Sequence, residues 1–158
     1  MTDIPYQQFW WLHDARWYQG VARRFGQEAA NEINAEALKF VSRRVANWCA
    51  RNHDISLGDK PMAEFVQEFE QIAGVMWAEG TISVTERAID ESSWESVITE
   101  SFVLKMLRAA RSLDGYECPC LDMRAGWFEG LGLKVRDSVV ECQRTGGECC
   151  RFRAEVDR

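Results

Sequence analysis

The chain has 158 residues and a mass of 18.2 kDa, with 46% hydrophobic and 28% charged residues, a composition that suits one ordinary globular domain over 1–158. Nineteen Lys and Arg against 25 Asp and Glu leave a net charge of −6, which argues against nucleic acid or an anionic membrane as the main partner. Eight Phe, seven Trp and three Tyr exclude a disordered chain, and no apolar run approaches the roughly 20 residues that span a bilayer.

Pro5 behind Thr2 and Asp3 suits the first turn of a helix that runs to about Gly26. Along it Phe9, His13, Trp17 and Val21 recur at helical spacing, with Trp10, Trp11, Tyr18 and Phe25 widening the apolar surface. A second helix is predicted from about Gln27 to Asn52, with Ala30, Ile33, Ala37, Phe40, Val41, Val45 and Trp48 on its buried face. Gly58, Asp59 and Pro61 restart the chain, Asp59 as a cap, into a third helix that buries Phe65, Phe69, Ile72, Val75 and Met76 and ends before Gly80.

From Thr81 the pattern changes to β-branched stretches, Ile82 and Val84 and then Val97 and Ile98, around polar 90–93, and reads as a hairpin. Helical spacing returns over Phe102 to Arg111 and stops at Asp114-Gly115. A short amphipathic piece, Asp122 to Leu131, precedes a strand through Leu133, Val135, Val139 and Val140. After the turn Thr145-Gly146-Gly147, Cys150, Phe152, Ala154 and Val156 alternate with Arg151, Arg153 and Glu155 as a final strand. The predicted architecture is α+β: N-terminal helices (1–80) on a small antiparallel sheet (81–158) that ends in a cysteine-bearing β-hairpin.

MTDIPYQQFWWLHDARW lacks the basic segment and apolar core of a secretory signal, so a cytoplasmic location is expected. Six cysteines in a reducing compartment point to metal binding, redox chemistry or burial rather than a disulfide framework. Cys118-Pro-Cys120 forms a stiff bend, and a hairpin brings Cys142 near Cys149 and Cys150. If the bend folds over the hairpin end, four thiolates surround one tetrahedral cation, as zinc prefers in closed structural sites. Strand alternation turns Cys150 inward with Phe152 and Cys149 outward with Arg151, which favours Cys118, Cys120, Cys142 and Cys150 as the metal set, with Glu141 or Cys149 as substitutes. The competing readings are buried core thiols and an easily reduced dithiol. Cys49, alone beside Trp48, reads as core.

The run Cys120-Leu-Asp-Met-Arg-Ala-Gly126-Trp-Phe-Glu-Gly130, followed by Glu141-Cys142, Gly146 and Cys150-Arg-Phe152, resembles the C-terminal half of the 4-vinyl reductase domain, a superfamily that includes small-ligand sensors. The resemblance implies a zinc held by Cys120, Cys142 and Cys150. A Glu that the family uses as a further ligand is Val139 here, so Cys118 or Glu141 takes its place. Over nearly the whole chain, including His13-Asp14-Ala-Arg16-Trp17, the sequence also looks like bacterial and archaeal proteins related to L-2-amino-thiazoline-4-carboxylic acid hydrolase. This implies a compact, dimeric α+β domain with a largely apolar cavity between helices and sheet.

Three functions follow. A binding domain for a small molecule would use part of the aromatic surplus as a pocket, here Trp10, Trp17, Phe69 and Trp127, with zinc as a structural lock and a homodimer as its assembly. A hydrolase would use His13 as base beside Asp14, with Arg16 holding a substrate carboxylate. A metal or redox carrier would load copper or an iron-sulfur cluster on the thiolates. The sequence has no G-x-S-x-G, P-loop or dinucleotide glycine motif and no helix-turn-helix with a basic face.

Overall fold

The computed structural model describes residues 6–77 and 79–157. Helix α1 (Tyr6–Phe25) is followed at once by α2 (Gln27–Asn52) and, after a loop, by α3 (Met62–Met76). Gly26 breaks the first two apart at φ 94°, a left-handed value that favours glycine. The chain then forms strands β1 (Ile82–Ala88) and β2 (Ser93–Ser101), helices α4 (Phe102–Ala109) and α5 (Cys120–Gly130), and strands β3 (Val135–Glu141) and β4 (Cys150–Val156). The Pro5 region lies outside the described residues. Asp59 caps nothing at α3, whose N-cap position is Pro61.

The strands form one antiparallel sheet in the order β1-β2-β4-β3, so the predicted α+β layout is observed. Asp90 closes the first hairpin by accepting the backbone N–H groups of Ser92 and Ser93. Ser101, the last residue of β2, accepts the Leu104 N–H and so starts α4 without a linker. One face of the sheet is charged and solvated, with Arg151 and Arg87 both on Glu95 and Arg136 on Glu155. The other face is covered by helices.

Helix α5 is buried on both sides rather than amphipathic as the sequence suggested. Gly126 and Gly130 face α2, while Arg124 and Phe128 face the sheet. A Cβ at Gly130 would meet the Arg43 carbonyl oxygen at 2.5 Å and the Ala46 Cβ at 2.7 Å, so the two helix backbones touch. That closeness selects which face of α2 is inside. The buried residues are the small ones, Ala30, Asn31, Ser42, Ala46 and Cys49, whereas Ile33, Phe40, Val41 and Trp48 stand in solvent. The predicted buried face of α2 is thus corrected: apolar size pointed one way and close packing the other. The same correction applies to α1, where Phe9, His13 and Trp17 point outward and Trp11, Tyr18 and Val21 point in.

Two clusters make the core. Phe65, Phe69 and Ile72 of α3 meet Trp94 of β2, Trp127 and Phe128 of α5 and Ala154 of β4. Their rings sit edge to face, with Phe69 to Trp94 at 5.7 Å and to Trp127 at 5.8 Å between centroids. The second cluster joins Tyr18, Leu104, Leu107, Tyr116, Cys150 and Phe152. Under the first cluster lies a buried polar network. Arg124 donates to both oxygens of Asp137, at 2.5 and 3.1 Å, and to Ser96, which bonds Glu86, while Phe128 and Phe152 flank the guanidinium.

Candidate functional site

A cavity of about 330 Å³ lies between α1, α4, the end of α3 and the loop that enters α5. Its walls follow from the elements just described. Helix α1 supplies Trp11, Leu12 and Tyr18 from its inner face, α2 supplies Leu38, and α4, amphipathic over its eight residues, supplies Phe102, Val103, Leu104, Met106 and Leu107. Ile82 and Ile98 close it from the sheet, and Tyr116, Cys118, Cys120, Met123 and Cys150 close it at the far end. Trp11 stacks on Trp77 at 6.3 Å between centroids, which joins the start of α1 to the end of α3 at one wall.

The polar atoms of this cavity are few. Asp14, Arg16, Gln19, Asn34 and Ser101 stand among the lining residues, and Arg16 donates to Gln19, which donates on to Ser112. Tyr18 donates to Asn31 at 2.5 Å, and Gln27 donates to Tyr18. Asn31 in turn donates to the Gly115 carbonyl and accepts the Glu117 N–H, so this buried amide ties α2 to the loop carrying Cys118. Burial raises the phenols of Tyr18 and Tyr116 above the usual range, so both are neutral hydrogen-bonding groups. The Trp77 indole N–H is buried with no hydrogen-bond partner among the described residues.

Three of the four predicted metal-site cysteines, Cys118, Cys120 and Cys150, line this cavity, and Cys142 packs beside them against the Tyr18–Leu104–Phe152 cluster. The Pro119 bend sets Cys118 before α5 and Cys120 on its first turn, with their Sγ atoms 3.0 Å apart. Cys150 opens β4 with its side chain turned inward, and the Gln143 N–H donates to its sulfur at 3.4 Å. Cys149 turns the other way, onto Glu141 at 3.3 Å, and Glu141 also accepts the Glu148 and Cys149 N–H groups. The hydrogen bond from Cys120 holds the Cys118 thiol below its ordinary pKa, and the same partner together with burial pushes Cys120 up. Burial raises Cys150 to about 11.

The donor set fits zinc in kind, since soft thiols are what a closed zinc site uses. The spacing is that of thiols in contact. Two sulfurs on one tetrahedral zinc stand about 3.8 Å apart at bond lengths of about 2.3 Å. Among the described residues no three or more His, Cys, Asp and Glu side chains stand around a common cation position.

The other candidates are placed differently. Phe69 and Trp127 are core residues, 2% and 5% exposed, and Trp10 and Trp17, 66% and 65% exposed, stand on the outer side of α1. The cavity takes Trp11 from α1, because the inner face of that helix is one residue round from the stripe picked out by spacing, and Trp77 from the end of α3. His13 bonds Asp14 at 3.3 Å on the exposed side of α1, against the ring of Trp10, and does not line the cavity, whereas Asp14 and Arg16 do. The His13, Asp14 and Arg16 set therefore does not converge on one reacting position. No described helix is long and apolar enough to cross a membrane.

No family model and no curated protein matches the chain. Solved structures do match in fold. A trafficking protein particle complex subunit 3 from Naegleria fowleri, covalently bound to palmitic acid, has 12% identity and a TM-score of 0.59 over 96% of this chain and 95% of that one. The phenol-responsive sensory domain of the transcription activator PoxR, with phenol, has 16% identity and a TM-score of 0.62 over 89% and 71%. An H-NOX protein from S. oneidensis in the Fe(II)NO ligation state has 13% identity and a TM-score of 0.50 over 89% and 72%. At these identities the likeness is one of fold.

Proposed function

We propose that the chain is a cytoplasmic small-molecule-binding domain of the 4-vinyl reductase type, acting as a homodimer, in which Cys118, Cys120, Cys142 and Cys150 hold a structural zinc. The observation that carries the binding reading is the apolar cavity of about 330 Å³ between α1, α4 and the loop that enters α5. Its volume falls at the lower end of the ~300–1,000 Å³ of small-molecule sites. The fitting ligand has an apolar or aromatic body, because the lining is apolar apart from Asp14, Arg16, Gln19, Asn34 and Ser101. Structures of this fold carry phenol or palmitic acid, which supports a ligand of this character. The zinc, when bound, would lock the bend before α5 to the β3–β4 hairpin and so stiffen one wall of the cavity.

Titration with a panel of phenols and of medium-chain and long-chain fatty acids, followed by tryptophan fluorescence, tests the reading, since Trp11 and Trp77 stand in the wall. Binding of at least one class is expected. Its loss in Leu107→Trp, which fills the cavity, is expected too. Absence of binding across the panel, or binding that Leu107→Trp leaves intact, overturns the proposal.

A further inference from the structure

The outer sides of α1 and α2 carry an apolar surface that no described part of the chain covers. Tyr6, Trp10, His13 and Trp17 follow one another along α1 at alternating steps of four and three residues, and all four are exposed. On α2, Ile33, Ala37, Phe40 and Arg44 repeat the same steps on the side opposite Ser42 and Ala46, which face α5. The two helices run antiparallel about Gly26, as the Tyr18–Asn31 hydrogen bond requires and as Trp11 and Leu38 on one cavity require. Tyr6, Phe9, Trp10, Trp17 and Phe25 alone, between 55% and 72% exposed, present on the order of 600 Å² at about 150–250 Å² per aromatic side chain. A stable interface takes about 800 Å² from each partner.

The charges decide what covers it. The N-terminal half of α2 carries Glu28, Glu32 and Glu36 and its C-terminal half Arg43, Arg44 and Arg51, all exposed. No ion pair among the described residues uses Glu32, Glu36 or Arg44, and both Arg43 and Arg44 lie over the Phe40 ring. The pattern is complementary to itself when reversed. Two α2 helices crossing antiparallel at Phe40 bring Arg44 of each against Glu36 of the other, the reciprocal contact of a two-fold interface. An anionic lipid surface would meet the three glutamates and a chain of net charge −6.

We infer that a second copy of this chain docks antiparallel across the outer face of α1 and α2 about Phe40, with Glu36–Arg44 pairs on both sides of the two-fold. This names the interface of the proposed homodimer and does not depend on what fills the cavity. Sedimentation velocity and light scattering on the full chain at micromolar concentration test it. The expected mass is twice 18.2 kDa. Phe40→Asp is expected to give the 18.2 kDa monomer, with helical circular dichroism unchanged because the side chain is exposed. Glu36→Arg and Arg44→Glu should each weaken the dimer by about tenfold or more, and the double variant should restore it. A monomeric wild-type chain overturns both the homodimer and this interface. A dimer indifferent to Phe40→Asp, or one that the double variant does not rescue, overturns the interface alone.

Discussion

Gly130 of α5 sits against the backbone of Arg43 in α2, close enough that a Cβ would come within 2.5 Å of the Arg43 carbonyl oxygen. Gly126, one turn earlier, meets the Lys39 carbonyl more closely still. Neither contact yields by moving a flexible side chain, since the neighbour is helix backbone. Gly126→Ala and Gly130→Ala are each expected to destabilise the fold by about 1–3 kcal/mol, the usual cost of overpacking. Gly74→Ala, in a helix with open space around it, should stabilise by about 0.5–1 kcal/mol. Denaturant midpoints of the three variants check this, and an unchanged Gly130→Ala would show that α2 and α5 separate freely.

Arg124 is 2% exposed and its charge is met by Asp137, Ser96 and two aromatic faces. Removing one partner strands the other. Asp137→Ala is expected to cost about 3–5 kcal/mol, whereas Arg124→Met with Asp137→Leu should cost less, because the ion pair is removed together and only Glu86, which burial favours as the neutral acid, is left. Chemical denaturation of the single and double variants measures the difference, and equal losses would contradict it.

Glu86 lies at the edge of this network, and burial pushes its carboxyl up to about 7. Its folded pKa lies above the unfolded value of 4.5, so the native state holds the proton more tightly. The stabilisation is fully present below the unfolded pKa and is lost as the pH rises through the folded one. Between about pH 5 and 8 the stability of the wild type should fall, on the order of 2–3 kcal/mol in all, and Glu86→Gln should remove most of that slope. Denaturation midpoints against pH test it. A slope that survives in Glu86→Gln assigns the titration elsewhere.

The proposed zinc site makes its own prediction. Protein purified without an affinity tag should carry about one zinc per chain, lost in Cys142→Ser with a clear fall in thermal midpoint, and chelation should lower the wild-type midpoint toward that of the variant. Cys49→Ala should keep the metal, since Cys49 is buried between α2 and the core, away from the cluster. Freshly reduced protein without metal would leave Cys118, Cys120 and Cys150 as a cavity wall with Cys142 packed beside them.

The positions of the elements were legible from glycine punctuation and hydrophobic period, as α2 and β4 illustrate. Burial was not legible in the same way. Ile33, Phe40 and Trp48 outweigh Ser42 and Ala46 on any apolar scale, yet the small residues are inside, because the two glycines of α5 require close approach. The signal was present as Gly126-x3-Gly130, but the α2 residues it meets, such as Lys39 and Arg43, lie far upstream in the sequence and only the tertiary arrangement identifies them. The same holds at the cavity, where Trp11 was indistinguishable from Trp10 until the packing of Tyr18 on Asn31 fixed the rotation of α1. That Cys118, Cys120 and Cys150 stand on one cavity wall could be anticipated from the bend and the hairpin. The Arg124–Asp137 pair could not, since nothing near either residue marks it as buried.

The placement of β4 between β2 and β3 has a bearing on how the chain acquires its structure. The hairpin of β1 and β2 can close as soon as it exists, but β3 has no neighbour until the strand that follows it in sequence arrives. That strand must also find β2, which is about 50 residues away along the chain, a long loop to close before any contact compensates. Pairing β4 with β2 closes the long loop of the sheet, and it is also what delivers Cys150 to the cavity. The cavity wall to which Cys150 belongs is therefore complete only once the sheet is.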